Sequence, residues 1–361
     1  MDIFSRVPGE SIARFRCVSK FWGYILRRPD FTELYLTKSS TRPRLFFTVK
    51  ADYKLFFYSS PQPQNPDDNS TLVATCYHAP LSTYFSSLLG APVCGLALHQ
   101  DYIIHERVIS NPITGEYLTL PKLLLEMESS YTAGEKIAGI SLGYDPINKR
   151  FKVLCMTSSL EERPNTHQVL TLESGKRLWR KIKCKFHFMR NKRVGDGICI
   201  NGVLYLGAKM GESSVIVCFD VRSEKFGFIN LDKDMAVDYS DSDLCGNYLT
   251  FFNYKGKLGI HEGTYEDEEL VLWVIEDAQS HKWFKQTYEL PPLDDFRDFH
   301  FVGMTCTGEI VWSSYKHFWF YLYNLERNTS TRVNIQGCEE FEHRSHSIYT
   351  FVDYVENLKL M

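Results

Sequence analysis

Apolar residues recur at spacings of three and four through roughly the first thirty positions, and beyond Pro43 they recur in short runs closed by turn residues. The periodicity thus changes from helix to strand near position 40. In the first part Ile12, Phe15, Val18, Phe21, Trp22, Ile25 and Leu26 fall on one face of helical segments, opposite a basic face. Pro8-Gly9 separates this run from Ile3-Phe4, and Pro29-Asp30 ends it, which predicts two or three short helices joined by tight turns. Helices this short are unstable alone. They must pack on the rest of the chain or on a partner.

The remainder predicts strands. Leu45-Phe46-Phe47 and Leu55-Phe56-Phe57-Tyr58 read as strands, and 60–69, rich in Pro, Asn and Asp, as a loop. Glycine-bearing turns at Asn201-Gly202, Lys255-Gly256 and Thr307-Gly308 sit between apolar strands, with their glycines 54 and 52 residues apart. Each is followed by a second hairpin with a polar tip, at 217–226, 273–283 and 321–329. Two hairpins every fifty or so residues make the size of a four-stranded propeller blade of the kelch type. Weaker copies at 109–117, 143–153 and 172–179 extend the pattern, and the roughly 320 residues after position 40 divide into about six such units. The expected fold is mainly β, with a short helical element over 1–40 followed by a single β-propeller of about six kelch-like blades over 41–361. The last apolar run, 349–355, is expected to pair with early sequence and leave no free edge.

Two stretches then carry a family resemblance. Phe4-Ser5-Arg6-Val7-Pro8, Arg16-Cys17-Val18-Ser19-Lys20-Phe21-Trp22 and Pro29-Asp30-Phe31 resemble the later part of an F-box, without the Leu-Pro and most of the first helix that open that module. The body is similar to the plant F-box-associated domain, through Gly143-Tyr144-Asp145-Pro146, Phe151-Lys152-Val153-Leu154, Asn201-Gly202-Val203-Leu204-Tyr205, the 219–226 hairpin and the terminal apolar run. The resemblance implies docking on a Skp-type adaptor and, through it, a cullin, with Ile3, Val7, Pro8, Ile12, Cys17, Val18 and Trp22 as apolar contacts or their supports. It also implies a propeller that captures an unidentified target protein for ubiquitin transfer. The matching body residues are mostly turns and core positions, so they identify a scaffold and not a substrate.

Composition narrows the picture. Aromatics make up 14% of residues, which suits sheet packing, and a net charge of -3 excludes strong bulk attraction to nucleic acid or anionic membrane. No apolar run reaches the length of a membrane span, so a soluble chain is expected. The ten cysteines are scattered with no Cys-x-x-Cys, which argues against structural zinc and for reduced thiols in the cytoplasm or nucleus. The sequons at Asn69 and Asn328 would then be idle.

Candidate chemistry is sparse. Between 176 and 193 lie nine cations and no acid: Lys176, Arg177, Arg180, Lys181, Lys183, Lys185, Arg190, Lys192 and Arg193. Interleaved with Trp179, Phe186, His187 and Phe188, they suit either an acidic-partner surface or a solvated strand whose aromatics point inward. Acidic stretches at Asp232, Asp234, Asp238, Asp241 and Asp243, and at Glu262, Glu266, Asp267, Glu268 and Glu269, lack the pattern of a calcium loop. His343 and His346 have no evident third ligand, and the aromatic run 315–323 reads as a core strand before a binding surface. No catalytic signature is present, so the expectation is a non-enzymatic receptor needing no cofactor or metal. Two alternatives stay open. One is a stand-alone propeller with a vestigial F-box, and the other is a propeller enzyme with polar groups converging at a central channel.

Overall fold

The computed structural model describes residues 2–63, 70–77, 81–82, 85–88, 90–101, 106–123, 136–158, 166–173, 177–191, 193–195, 197–235, 248–263, 269–290 and 298–359. The chain divides into two compact units, Met1–Leu120 with Asp294–Met361, and Pro121–Leu293. Six antiparallel sheets follow one another in sequence, three in each unit. This is the blade set of a six-bladed propeller.

In the first unit, helices α1 (Gly9–Arg16), α2 (Lys20–Ile25) and α3 (Pro29–Ser40) precede the first sheet. The expectation that Pro29 ends the helical region is corrected: it occupies the first turn of α3, where its missing N–H costs nothing. The first sheet is built on Arg44–Ala51 and Lys54–Pro61, and its remaining long strand is His346–Tyr354 from the other end of the chain. The C-terminal apolar run thus pairs with early sequence, with Phe47 opposite Thr350 and Val49 opposite Ile348. The second sheet spans Phe85–Leu88 to Tyr117–Thr119. The sixth runs from Phe299–Met304 to Thr329–Gln336, with Ser70–Val73 added in parallel on its outer strand. In the second unit the third, fourth and fifth sheets begin at Lys136–Asp145, Met189–Arg190 and Tyr248–Tyr254 and end at Arg180–Lys183, Lys225–Asn230 and Lys282–Glu289.

Local chemistry explains the turns. Asn201-Gly202 and Lys255-Gly256 are two-residue connections with positive φ at both positions, the geometry that matches strand twist. Five of the described hairpins share a device that their varied tips conceal. An Asp or Asn opens each one, its Oδ1 accepting backbone N–H groups two or three residues on: Asn111 from Ile113, Asp145 from Ile147, Asp220 from Ser223, Asp277 from Gln279 and Asn324 from Glu326. The residue four places after each of these has positive φ: Gly115, Lys149, Glu224, His281 and Asn328. The side-chain acceptor replaces a missing backbone partner and so tolerates almost any residue between. Within the run 315–323 a core strand forms at Trp319–Asn324, with Phe320, Tyr321, Leu322 and Tyr323 buried, while Tyr315 lies outside it and is exposed.

Three histidines, His99, His167 and His261, are buried in the sheets, and a fourth, His300, is half-buried. Burial holds their pKa below the ordinary 6.5, at about 3 for His99 and His261 and about 4 for His300 and His167, the last helped by the charge of His187. The His167 Nδ1 accepts the Thr157 N–H at 3.2 Å, as a neutral ring must. A depressed folded pKa contributes stability that is complete above about pH 6.5 and is lost as pH falls toward the folded values, because the unfolded chain takes up protons first. Between pH 6.5 and pH 5 each ring gives up on the order of 1–2 kcal/mol, a large share of the typical 5–15 kcal/mol when four act together. Urea titrations are therefore expected to show the midpoint dropping steeply from about pH 7 to about pH 5, with the drop shallower in His261→Gln. A flat profile over that range would contradict neutral buried rings.

Candidate functional site

The site is built by the three helices at the start of the first unit. Ser19 caps α2, its Oγ accepting the Trp22 N–H at 3.2 Å. Asp30 lies in the first turn of α3 and is held below the usual carboxylate range by hydrogen bonds from Arg28. Once the cap sets the phase of α2, Trp22 and Leu26 share one side while Phe21 and Tyr24 share the other.

The single apolar face read from the spacing is therefore two faces. Ile12, Leu26, Phe31 and Tyr35 are buried in one cluster with Phe46, Leu55, Phe57, Tyr77, Ile113, Tyr354 and Leu358. Phe4, Phe15 and Trp22 close its margin, with ring centroids 5.0–5.6 Å apart in edge-to-face contact. Facing solvent are Ile3, Val18, Phe21 and Tyr24, which are 79%, 65%, 67% and 68% exposed.

The inner face is tied to the sheets by the buried carboxylate of Glu356. Its Oε2 accepts the Tyr35 hydroxyl at 2.7 Å and the Gly9 N–H at 3.2 Å, its Oε1 accepts the Tyr77 hydroxyl at 2.9 Å, and Arg44 lies 3.9 Å away. The Ser39 hydroxyl accepts the Glu356 N–H at 2.8 Å. Burial, then the neighbouring Glu356 charge, raises both tyrosine pKa values, so both phenols stay protonated donors. Arg16, within the resemblance motif, donates to the Leu26 carbonyl at 2.8 Å and the Leu358 carbonyl at 3.3 Å. Burial, then Arg27, lowers its pKa. Asn111 donates to the Asn357 and Lys359 carbonyls and fixes the same C-terminal segment to the second sheet.

The seven residues proposed for adaptor contact divide accordingly. Ile3, Pro8, Cys17 and Val18 are exposed, Val7 and Trp22 are half-buried, and Ile12 is fully buried, so Ile12 serves as a support beneath the surface. Phe21 and Tyr24 were not singled out for contact. The signal that could have found them is Ser19, whose capping fixes which side of α2 faces outward. Beside Tyr24 runs an open groove of about 930 Å³ lined by Arg16, Cys17, Ser19, Lys20, Gly23, Tyr24, Arg27, Arg28 and Pro29, with no acidic side chain in its wall.

The basic stretch lies elsewhere, in the second unit. Lys176 and Lys192 fall outside the described residues. Trp179 and Phe188 are buried, and the Trp179 indole N–H donates to the Pro121 carbonyl. Arg180 is paired with Glu224, which also holds buried Lys152 at 2.6 Å, and Arg190 donates to the Gly207 carbonyl at 2.9 Å. Arg177 and Arg193 are half-buried, while Lys181, Lys183 and Lys185 are exposed. The cations are thus not one continuous patch. Of the acidic stretches, Asp238, Asp241, Asp243, Glu266, Asp267 and Glu268 lie outside the described residues. Both ring nitrogens of His346 face carbonyl oxygens, of Arg344 at 2.9 Å and of Lys316 at 3.0 Å. Among the described residues no group of three or more His, Cys, Asp or Glu is placed to hold a metal ion, and no helix is long and apolar enough to cross a membrane.

Comparison with known families decides what these helices and sheets are. Residues 1–34 match the F-box domain, and residues 44–355 match the F-box associated beta propeller domain. The chain belongs to the F-box proteins with an associated β-propeller. Relatives from Arabidopsis thaliana include an F-box protein 46% identical over all of this chain and 80% of its own length. F-box protein DOR of the same plant is 41% identical over all of this chain and 92% of its own length. Among solved structures, the Dos1 propeller aligns over 78% of this chain and 67% of that one, at 10% identity and a TM-score of 0.38. The helices are accordingly the F-box, and the six sheets are the blades.

Removing the Glu356 carboxylate would strand two buried hydroxyls and an N–H. Glu356→Ala is expected to cost about 3 kcal/mol in urea unfolding, against about 1 kcal/mol for Glu356→Gln, which keeps an acceptor. Equal losses in the two variants would mean that the hydrogen-bond network is not what matters.

Proposed function

We propose that this F-box protein is a non-enzymatic substrate receptor of a Skp-cullin-F-box type ubiquitin ligase. The F-box docks a Skp-type adaptor that is tethered to a cullin, and the propeller holds a target protein near the ligase that performs the chemistry. The protein's contribution to ubiquitin transfer is proximity. The observation that carries this reading is the outward apolar set Ile3, Val18, Phe21 and Tyr24, presented by helices whose other face is already satisfied within the chain. Several large apolar side chains left exposed on one short folded helical element suit a partner's contact surface. The free cysteines favour a reducing compartment, so the protein is proposed to work in the cytoplasm or nucleus.

A second reading has a specific observation in its favour. Because Glu356 and Arg16 bind the F-box helices to the sheets, the chain's own contacts support the F-box, and a stand-alone propeller with a vestigial F-box would look the same from inside. Co-purification with a recombinant Skp-type adaptor separates the two. Val18→Asp and Phe21→Asp are expected to weaken the complex about tenfold or more while leaving the melting temperature within a few degrees, since both side chains face solvent. Ile12→Asp is expected to unfold the protein. No complex with the unaltered chain would favour the stand-alone reading.

A further inference from the structure

Cys76 and Cys338 meet where the chain passes from the sixth sheet to the first. Ser70–Val73 lies parallel to the outer strand of the sixth sheet, with Val73 opposite Gln336, and the chain then crosses so that Thr75–Cys76 pairs with Lys54–Pro61 of the first sheet. The crossing is tight. The Ala74 N–H donates to the Gln336 carbonyl at 2.8 Å, and a Cβ on Gly337 would lie 2.4 Å from the Ala74 carbonyl oxygen. Cys338 follows Gly337 directly, and Cys76 stands just past Ala74 and Thr75.

The register also aims the side chains. Cys76 is directly opposite Tyr58, and residues directly opposite share a face of the sheet. On that face Tyr58 packs in one cluster with Ala74, Cys338 and Phe341, and its hydroxyl donates to Glu340 at 3.1 Å. Both sulfurs therefore border the same phenol, with Cys76 exposed and Cys338 buried. Burial pushes both thiols up, Cys338 to about 12 with help from Glu339 and then Cys76, so both are protonated and slow to react at neutral pH. Cys199 and Cys218 also border a tyrosine, Tyr205, but they sit on the strands either side of it. Two strand spacings, roughly 10 Å, are beyond the reach of a disulfide.

We infer that Cys76 and Cys338 form a modification site, a dithiol that hydrogen peroxide converts to a disulfide, and that this bond clasps the first sheet to the sixth. The exposed Cys76 reacts first. Its thiolate, having given its proton to water, attacks one peroxide oxygen; an S–O bond forms, the O–O bond breaks and hydroxide leaves. The Cys338 thiolate then attacks the Cys76 sulfur; the S–S bond forms, the S–O bond breaks and a second hydroxide leaves. With the released protons, two thiols and one peroxide become one disulfide and two waters, the sulfurs oxidised and the peroxide reduced. The bond closes a loop that takes in most of the chain, which restrains the unfolded state strongly. At rest the protonated thiols keep the clasp open, and sustained peroxide closes it.

The test uses the purified full chain alone and does not depend on the ligase reading. Reduced protein is exposed to hydrogen peroxide in modest excess, the remaining thiols are alkylated, and the digest is read by mass spectrometry. The peptides carrying Cys76 and Cys338 are expected to appear joined and to separate on treatment with dithiothreitol. The oxidised chain is expected to melt about 5 °C higher than the reduced one. Cys76→Ser and Cys338→Ser are each expected to lose both the joined peptide and the rise, whereas Cys306→Ser, at another exposed cysteine, keeps both. The inference is overturned if both thiols stay free after peroxide, if Cys76 is carried on to sulfinic acid with no joined peptide, or if either residue is joined to a different cysteine. A joined peptide with no rise in melting temperature overturns the clasp. The joined peptide and the rise are both read in the unaltered chain, and so decide the matter even if Cys338→Ser impairs folding.

Discussion

A single carboxylate, that of Glu356, holds the helical and sheet parts of the first unit in one arrangement. An ionised carboxylate removed from water costs several kcal/mol unless its oxygens are satisfied. Here the donors come from the start of α1, the middle of α3 and the strand-edge residue Tyr77, with the Arg44 guanidinium close by. These partners lie 347, 321 and 279 residues away along the chain for Gly9, Tyr35 and Tyr77. None of the three elements can be withdrawn without leaving the charge unsupported. The F-box of this protein is therefore not a bead on a flexible tether, and the C-terminal segment that carries Glu356 and Leu358 acts as part of its foundation.

That foundation determines what is left for a partner. An amphipathic helix normally gives its apolar stripe to its own core, and Ile12, Leu26, Phe31 and Tyr35 do so. Capping by Ser19 rotates α2 so that Phe21 and Tyr24 remain outside, beside Val18 in the turn between α1 and α2. The exposed apolar set and the acid-free groove next to it lie on helices already packed against the chain's own sheets. Docking on such a surface carries little ordering cost, which favours a tight complex for a modest area.

The sheets work under a different economy. In five of the sheets one hairpin turns back on an Asp or Asn whose single side-chain oxygen closes the turn, which frees the tip residues to vary. Edges are managed individually: the sixth sheet's outer strand is covered by Ser70–Val73, while the third sheet's is covered by charge. The interior is paid for partly in buried histidines, whose neutral rings fill space at neutral pH and become a weakness in acid.

Much of this was legible in the sequence, because it depends on local chemistry. The change of periodicity near position 40, the positive-φ turns at Asn201-Gly202 and Lys255-Gly256, the inward Trp179 and Phe188, and the pairing of the last apolar run with early sequence follow from side-chain patterning and turn preference, which act over a few residues. The motif residues from Arg16 to Trp22 were equally readable as an F-box. What only the tertiary structure decided are the matters in which distant segments meet. No local pattern marks Glu356 as the acceptor for Tyr35 and Tyr77, or Arg16 as a donor to Leu358, since burial of a charge is a property of the assembled fold. Nor could periodicity alone separate Ile12 from Val18, or Lys152 from Lys183, because residues of the same kind on a similar stripe become core or surface according to which neighbours the fold brings against them.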